Sequence, residues 1–172
     1  MADSSAPQDM TDDEFATLAC QLFDLARTGD AAYLQRLLDK GLPPNLRNQN
    51  GDTLLMLASY HGHVDAVQTL LAAGADANIP NDKHQLPLAG AAFKGNLDIA
   101  RVLVGQGADV NGCAADGRTA LMMAAMFNRT EFVTYLLEQG ANPQARDASG
   151  MDALAAARAM GAQDTAALLA AL

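Results

Sequence analysis

The sequence predicts an all-α solenoid in which helix–turn–helix units stack side by side, joined by hairpin loops, with a 33-residue period. Three observations carry this. The segments Gly74-Ala75-Asp76-Ala77-Asn78, Gly107-Ala108-Asp109-Val110-Asn111 and Gly140-Ala141-Asn142-Pro143-Gln144 start 33 residues apart, and one step back lies Gly41-Leu42-Pro43-Pro44-Asn45. Two further series, Gly29, Gly62, Gly95, Asn128, Gly161 and Gly51, His84, Gly117, Gly150, keep the same spacing. Between these markers run pairs of short stretches with apolar residues at helical spacing, such as 53–60 followed by 64–71.

Composition agrees with this architecture. The 172 residues suit one domain. Half of them are hydrophobic, but only 5% are aromatic and none is Trp, so Ala, Leu and Met must fill the core of short, closely packed helices. The net charge of −9 argues against a nucleic-acid or anionic-membrane partner. Residues 1–14 hold five acids and no base, which leaves −4 spread over the rest. Cys20 and Cys113 lie too far apart to form a dense disulfide framework and read as reduced thiols. The first ten residues lack the basic and apolar regions of a secretory signal, and no stretch reaches the ~18 apolar residues of a membrane span. A soluble cytoplasmic monomer is expected.

The elements follow in order. Residues 1–10, rich in Ser, Asp and Pro, are expected to form a disordered tail, and 11–172 a single repeat domain. Thr11-Asp12-Asp13-Glu14 reads as a capping box that opens a helix running through about Arg27, within an N-terminal capping unit 11–47. Complete units are expected at 48–80, 81–113 and 114–146, with a truncated C-terminal capping unit at 147–172. In each, the Gly or Asn of the second series is the left-handed residue that ends the first helix. One such unit cannot bury its apolar face alone, so neighbours must stack, and terminal units should carry a polar outer face.

Three stretches repeat a common helix start: Thr53-Leu54-Leu55-Met56-Leu57-Ala58, Leu86-Pro87-Leu88-Ala89-Gly90-Ala91 and Thr119-Ala120-Leu121-Met122-Met123-Ala124. The turn Gly62-His63 and the Gly-Ala-Asp-Val-Asn loop complete the unit. Over about residues 16–172 the chain resembles the ankyrin repeat family, whose helix start reads T-P-L-H-x-A. It departs from that pattern at Met56, Ala89, Met122 and Ala155, which replace the usual His, so packing must replace a Thr–His hydrogen-bond network. The middle repeat carries His84 for a hairpin Gly, Leu86 for Thr, and Gly90 inside a helix, the last costing about 1 kcal/mol relative to Ala. These read either as drift in a tolerant array or as a locally yielding repeat at the binding site.

Little in the chain could assemble catalysis. A stack of helix pairs offers an open surface where an enzyme needs converging titratable groups. His61 and His63 could touch a metal, but a zinc site wants three or four ligands, and His63 stands at the family's structural turn position. Cys20 reads as a small core residue and Cys113 as a hairpin thiol without a base beside it. The glycines follow the repeat period and form no phosphate cradle. Asp12-Asp13-Glu14 suits a helix N-terminus. No catalytic residue, cofactor or metal is expected.

The resemblance implies protein binding through hairpin tips and the inner face of the first helices, which together line a concave groove. The tips are Gln49, Asn50, Asp52; Asp82, Lys83, Gln85; Ala115, Asp116, Arg118; and Ser149, Met151. The first helices end on Arg27-Thr28, Tyr60-His61, Phe93-Lys94, Met126-Phe127 and Ala159-Met160. Tyr60, Phe93, Met126 and Phe127, with Met160 nearby, form an apolar ladder at positions the family leaves exposed, and an exposed apolar stripe marks an interface. The alternative is that these rings fold back and pack between repeats. The expected partner-binding residues are Tyr60, His61, Phe93, Lys94, Met126, Phe127, Met160, Asp52, Gln85 and Arg118. The expected function is a non-enzymatic interaction module acting as inhibitor, chaperone or adaptor, with a bacterial cast to the composition. Alternatives are a bacterial immunity or antitoxin-type inhibitor, a homo-oligomeric scaffold, and a metal-linked enzyme should His61, His84 and Cys113 converge.

Overall fold

The computed structural model of the chain describes residues 21–172. The expected tail 1–10, the Thr11–Glu14 capping box and Cys20 lie outside the described residues. Among the described residues ten helices alternate in two layers: α1 (described over 21–28), α2 (Ala31–Asp39), α3 (Leu54–His61), α4 (Val64–Ala72), α5 (Pro87–Lys94), α6 (Leu97–Gly105), α7 (Ala120–Met126), α8 (Thr130–Glu138), α9 (Ala153–Ala159) and α10 (Gln163–Ala170). Among the described residues the only strand-like pairings are isolated bridges Arg47–Thr53 and Cys113–Thr119 at hairpin bases. The chain is an all-α solenoid.

Local chemistry starts and stops each first helix. Thr53 and Thr119 hold extended backbone, and their hydroxyls accept the Met56 and Met122 N–H at 3.1 and 3.3 Å, while Asp152 does the same for Ala155. Leu86 has no side-chain acceptor, and Pro87 at the first helical position removes one of the N–H groups that would need it. The helices end on left-handed residues: Gly62 has φ +89° and Gly95 has φ +79°, and Asn128 takes the same region at φ +56°. Met56 and Met122, standing where the family has His, are buried and supply packing in place of the missing network.

Stacking forms one continuous core. In the first layer α3 packs on α5, α5 on α7 and α7 on α9, while α4 packs on α2 and α6 in the second. Ala58, Ala91, Ala92, Ala124, Ala125 and Ala157 let the helices approach closely, and Leu54, Leu70, Ile99, Leu103, Phe132 and Leu136 fill the space between layers, all fully buried. The Asn that closes each loop motif ties repeat to repeat. Asn45, Asn78 and Asn111 each accept, through Oδ1, the backbone N–H of Asp76, Asp109 and Asn142 at 2.8, 2.7 and 2.8 Å. Asn78 and Asn111 also donate from Nδ2 to the carbonyls of Gly107 and Gly140. In the last unit Met160, which caps α9, and Leu172, beyond α10, are 54% and 74% exposed.

The turns interlock by a size exchange. A side chain at Gly29, Gly62 or Gly95 would collide with His63, Asn96 or Arg129 of the next turn, so a bare turn lies beneath a large residue. At the fourth turn the large residue is Asn128 and the residue one repeat beyond Arg129 is Ala162. Asn128 uses that room to accept the Thr165 N–H at 3.0 Å and to donate to Asp164 at 2.8 Å. His63 keeps the structural place expected of it, with Nε2 at 2.7 Å from the Arg27 carbonyl.

Candidate protein-binding groove

The hairpin tips and the inner face of α3, α5 and α7 enclose an open groove of about 650 Å3. Its tip side brings together Asp52, Asp82, Gln85, Asp116 and Arg118, and its helix side brings Tyr60, His61 and Phe93. Its floor is Leu57, Gly90 and Met123, one residue from each repeat at the same register. Sequence reasoning overlooked this floor, although each member lies three residues before a ladder residue (Tyr60, Phe93, Met126) and hence on the same helix face. Gly90 makes a notch between two larger neighbours. A methyl there would touch Tyr60 Cδ2 at 3.6 Å, ordinary contact, so nothing in the packing demands Gly.

The ladder is a packed seam with exposed ends at Tyr60 and Met160. The Tyr60 and Phe93 rings lie parallel, 8° apart at 6.1 Å, and Phe127 stands edge-on to Phe93 at 4.6 Å and 80°. Of the two readings, an exposed stripe or rings packed between repeats, each holds for part of the ladder: Phe93, Met126 and Phe127 are half-buried against their neighbours, while Tyr60 is 38% and Met160 54% exposed. The cause is a diagonal step. The residue just before the turn Gly or Asn of one repeat lies against the residue one position earlier in the repeat before it, as Phe127 does on Phe93 and Lys94 on Tyr60. Lys94 Nζ sits 4.5 Å from the Tyr60 ring centre and 5.6 Å from that of Phe93, a cation held on aromatic faces.

The tips are ordered by their own side chains. Asn48, Asn81 and Asp147 each accept two backbone N–H groups across their turns. The Ser149 hydroxyl on Asp147, followed by the Met151 N–H, holds that carboxyl below its ordinary pKa. Arg47 bridges to Asp82 at 3.1 Å, and Arg118 lies 3.4 Å from Asp116. His84 takes the left-handed conformation at φ +57° where the other tips have Gly. The His61 pKa is lowered, first by partial burial and then by the positive charges of His63, Arg27 and Lys94. The His61 and His63 rings are parallel at 6.4 Å. Among the described residues no three His, Cys, Asp or Glu side chains are grouped to hold a metal ion, so His61, His84 and Cys113 do not converge. Cys113 is exposed, and no helix among the described residues is long and apolar enough to cross a membrane.

Repeat geometry, turn chemistry and groove together define the class, and the chain belongs to the ankyrin repeat family, whose three-copy description matches residues 22–112 and 88–172. That family is a non-enzymatic fold for protein–protein interaction. Over 69 residues the chain is 59% identical to an ankyrin repeat protein of Pseudomonas aeruginosa. The match covers 40% of this chain and 39% of that relative's length.

Proposed function

We propose that this chain binds one protein partner through the concave groove between its hairpin tips and first helices, and acts on that partner by blocking, stabilising or tethering it. The observation that carries this reading is the position of Tyr60, 38% exposed at the end of a rigid ring stack and facing a groove of about 650 Å3. A ring held by its neighbours loses little side-chain entropy on binding, which suits it to anchor an interface. The binding residues are Tyr60, His61, Phe93, Lys94, Met126, Phe127 and Met160, with Asp52, Gln85 and Arg118 at the polar rim. The protein acts as a monomer in a bacterial cell.

The test is affinity capture from native lysate with the wild type and with Tyr60→Glu, both checked for unchanged melting. A protein retained by the wild type and lost by the variant supports the groove. Equal retention moves the site to the convex face. Light scattering that gives a dimer at micromolar concentration would replace the monomer with the scaffold reading.

A further inference from the structure

The electrostatics of the groove select a narrower kind of partner. Two of its three carboxylates are ion-paired, Asp82 with Arg47 and Asp116 with Arg118, while Asp52 accepts a neutral hydrogen bond from the Asn81 amide at 2.9 Å. Two cations at this surface are not ion-paired. Neither Lys83, at a tip, nor Lys94, above the Tyr60 and Phe93 rings, has a carboxylate within ion-pair distance among the described residues. A chain of net charge −9 thus keeps two cations without an ion-pair partner at this surface. The aromatic faces hold the Lys94 ammonium in place without neutralising it, so an arriving carboxylate meets a positioned donor.

Gly90 lies four residues before Lys94, one turn back on α5. The notch it leaves between Leu57 and Met123 therefore lies one turn, roughly 6 Å of helix rise, from the Lys94 backbone, whose ammonium sits on the Tyr60 ring that borders the same groove. Alternate side chains of an extended peptide are roughly 7 Å apart on one face. We infer that the groove takes an extended acidic protein segment whose Asp or Glu meets Lys94 while an apolar side chain two residues away enters the Gly90 notch. This inference rests on the groove being the binding site and adds the chemistry of its occupant.

The test is selection of short random peptides, displayed on phage, against the full chain, followed by affinity measurement on the selected peptides. Enriched sequences are expected to carry Asp or Glu two positions from Leu, Ile, Met or Phe. Lys94→Glu should weaken them about tenfold, the usual size of one lost charge-assisted contact, and a fresh selection on that variant should favour Lys or Arg. Gly90→Leu should erase the apolar preference and leave the acidic one. Peptides that bind without an acid but are lost in Tyr60→Glu would overturn this inference and leave the groove standing. Peptides indifferent to Tyr60→Glu would overturn both. Absence of any enriched peptide would overturn the linear-segment occupant, with lysate capture still reporting on the groove. Circular dichroism and melting of each variant separate lost binding from lost folding.

Discussion

Phe127 stands edge-on against Phe93 of the preceding repeat, 4.6 Å between ring centres and 80° between planes. The pair joins the C-terminal ends of α5 and α7, so the same rings that border the groove also hold adjacent repeats in register. An edge-to-face pair contributes about 0.5–1.5 kcal/mol beyond its buried area. Phe127→Ala is therefore expected to cost about 2 kcal/mol, whereas Tyr60→Ala, at the exposed end, costs less than about 1 kcal/mol. Urea midpoints of the two variants check this, and an equal loss for both would show that the stack bears load along its whole length.

Gly90→Ala is expected to stabilise the chain by roughly 0.5–1 kcal/mol, because Gly in a helix interior pays backbone entropy and the added methyl finds only ordinary contact with Tyr60. Its effect on partner binding should run the other way, since the methyl shallows the notch. A melting curve and a binding titration on one preparation read both signs.

His84→Gly relieves a left-handed backbone, at φ +57°, that the tips at Gly51, Gly117 and Gly150 meet with Gly. A side chain in that region costs about 1–2 kcal/mol, partly offset by the greater freedom of Gly in the unfolded chain. The expected net gain is up to about 1 kcal/mol, seen as a raised melting temperature. A fall would mean that the imidazole makes a compensating contact.

Ser59 occupies the position that Ala92 and Ala125 hold in the following repeats, fully buried, and its hydroxyl has no hydrogen-bond partner. Ser59→Ala removes an unpaid desolvation cost and should stabilise by about 1 kcal/mol. Destabilisation in urea would show that a water or an adjacent carbonyl satisfies the hydroxyl in solution.

Acidification should weaken the fold through His61. Its folded pKa lies below the ordinary 6.5, so the unfolded chain takes up a proton first, and the stability present above pH 6.5 is lost as pH falls through the folded value. The variant His61→Gln should show a shallower dependence of melting temperature on pH below 6.5. Superposable profiles would remove His61 as the cause.

Much of the fold was legible before any coordinates, because the markers of a repeat are backbone necessities. Gly62 and Gly95 end helices in a left-handed conformation, Thr53 and Thr119 open them, and Asn78 and Asn111 bind one loop to the next, so each recurs wherever the geometry recurs. The 33-residue period therefore announced a stack of helix pairs, and the columns of that alignment placed Tyr60, Phe93 and Met126 in one row, with Phe127 in the row beside it.

Tertiary structure decided how those columns meet. The offset between neighbouring helices carries Lys94 over Tyr60 and Phe127 onto Phe93 of the repeat before, a relation invisible in a register that aligns like with like. It also half-buries Phe93 and Phe127, leaves the Tyr60 ring at the water's edge, and turns Leu57, Gly90 and Met123 into a groove floor. Local sequence determines which backbone conformations recur, since those are paid for residue by residue. Exposure, ring contacts and ion pairing depend on the angle at which whole helices pack, and that angle is a property of all the repeats together.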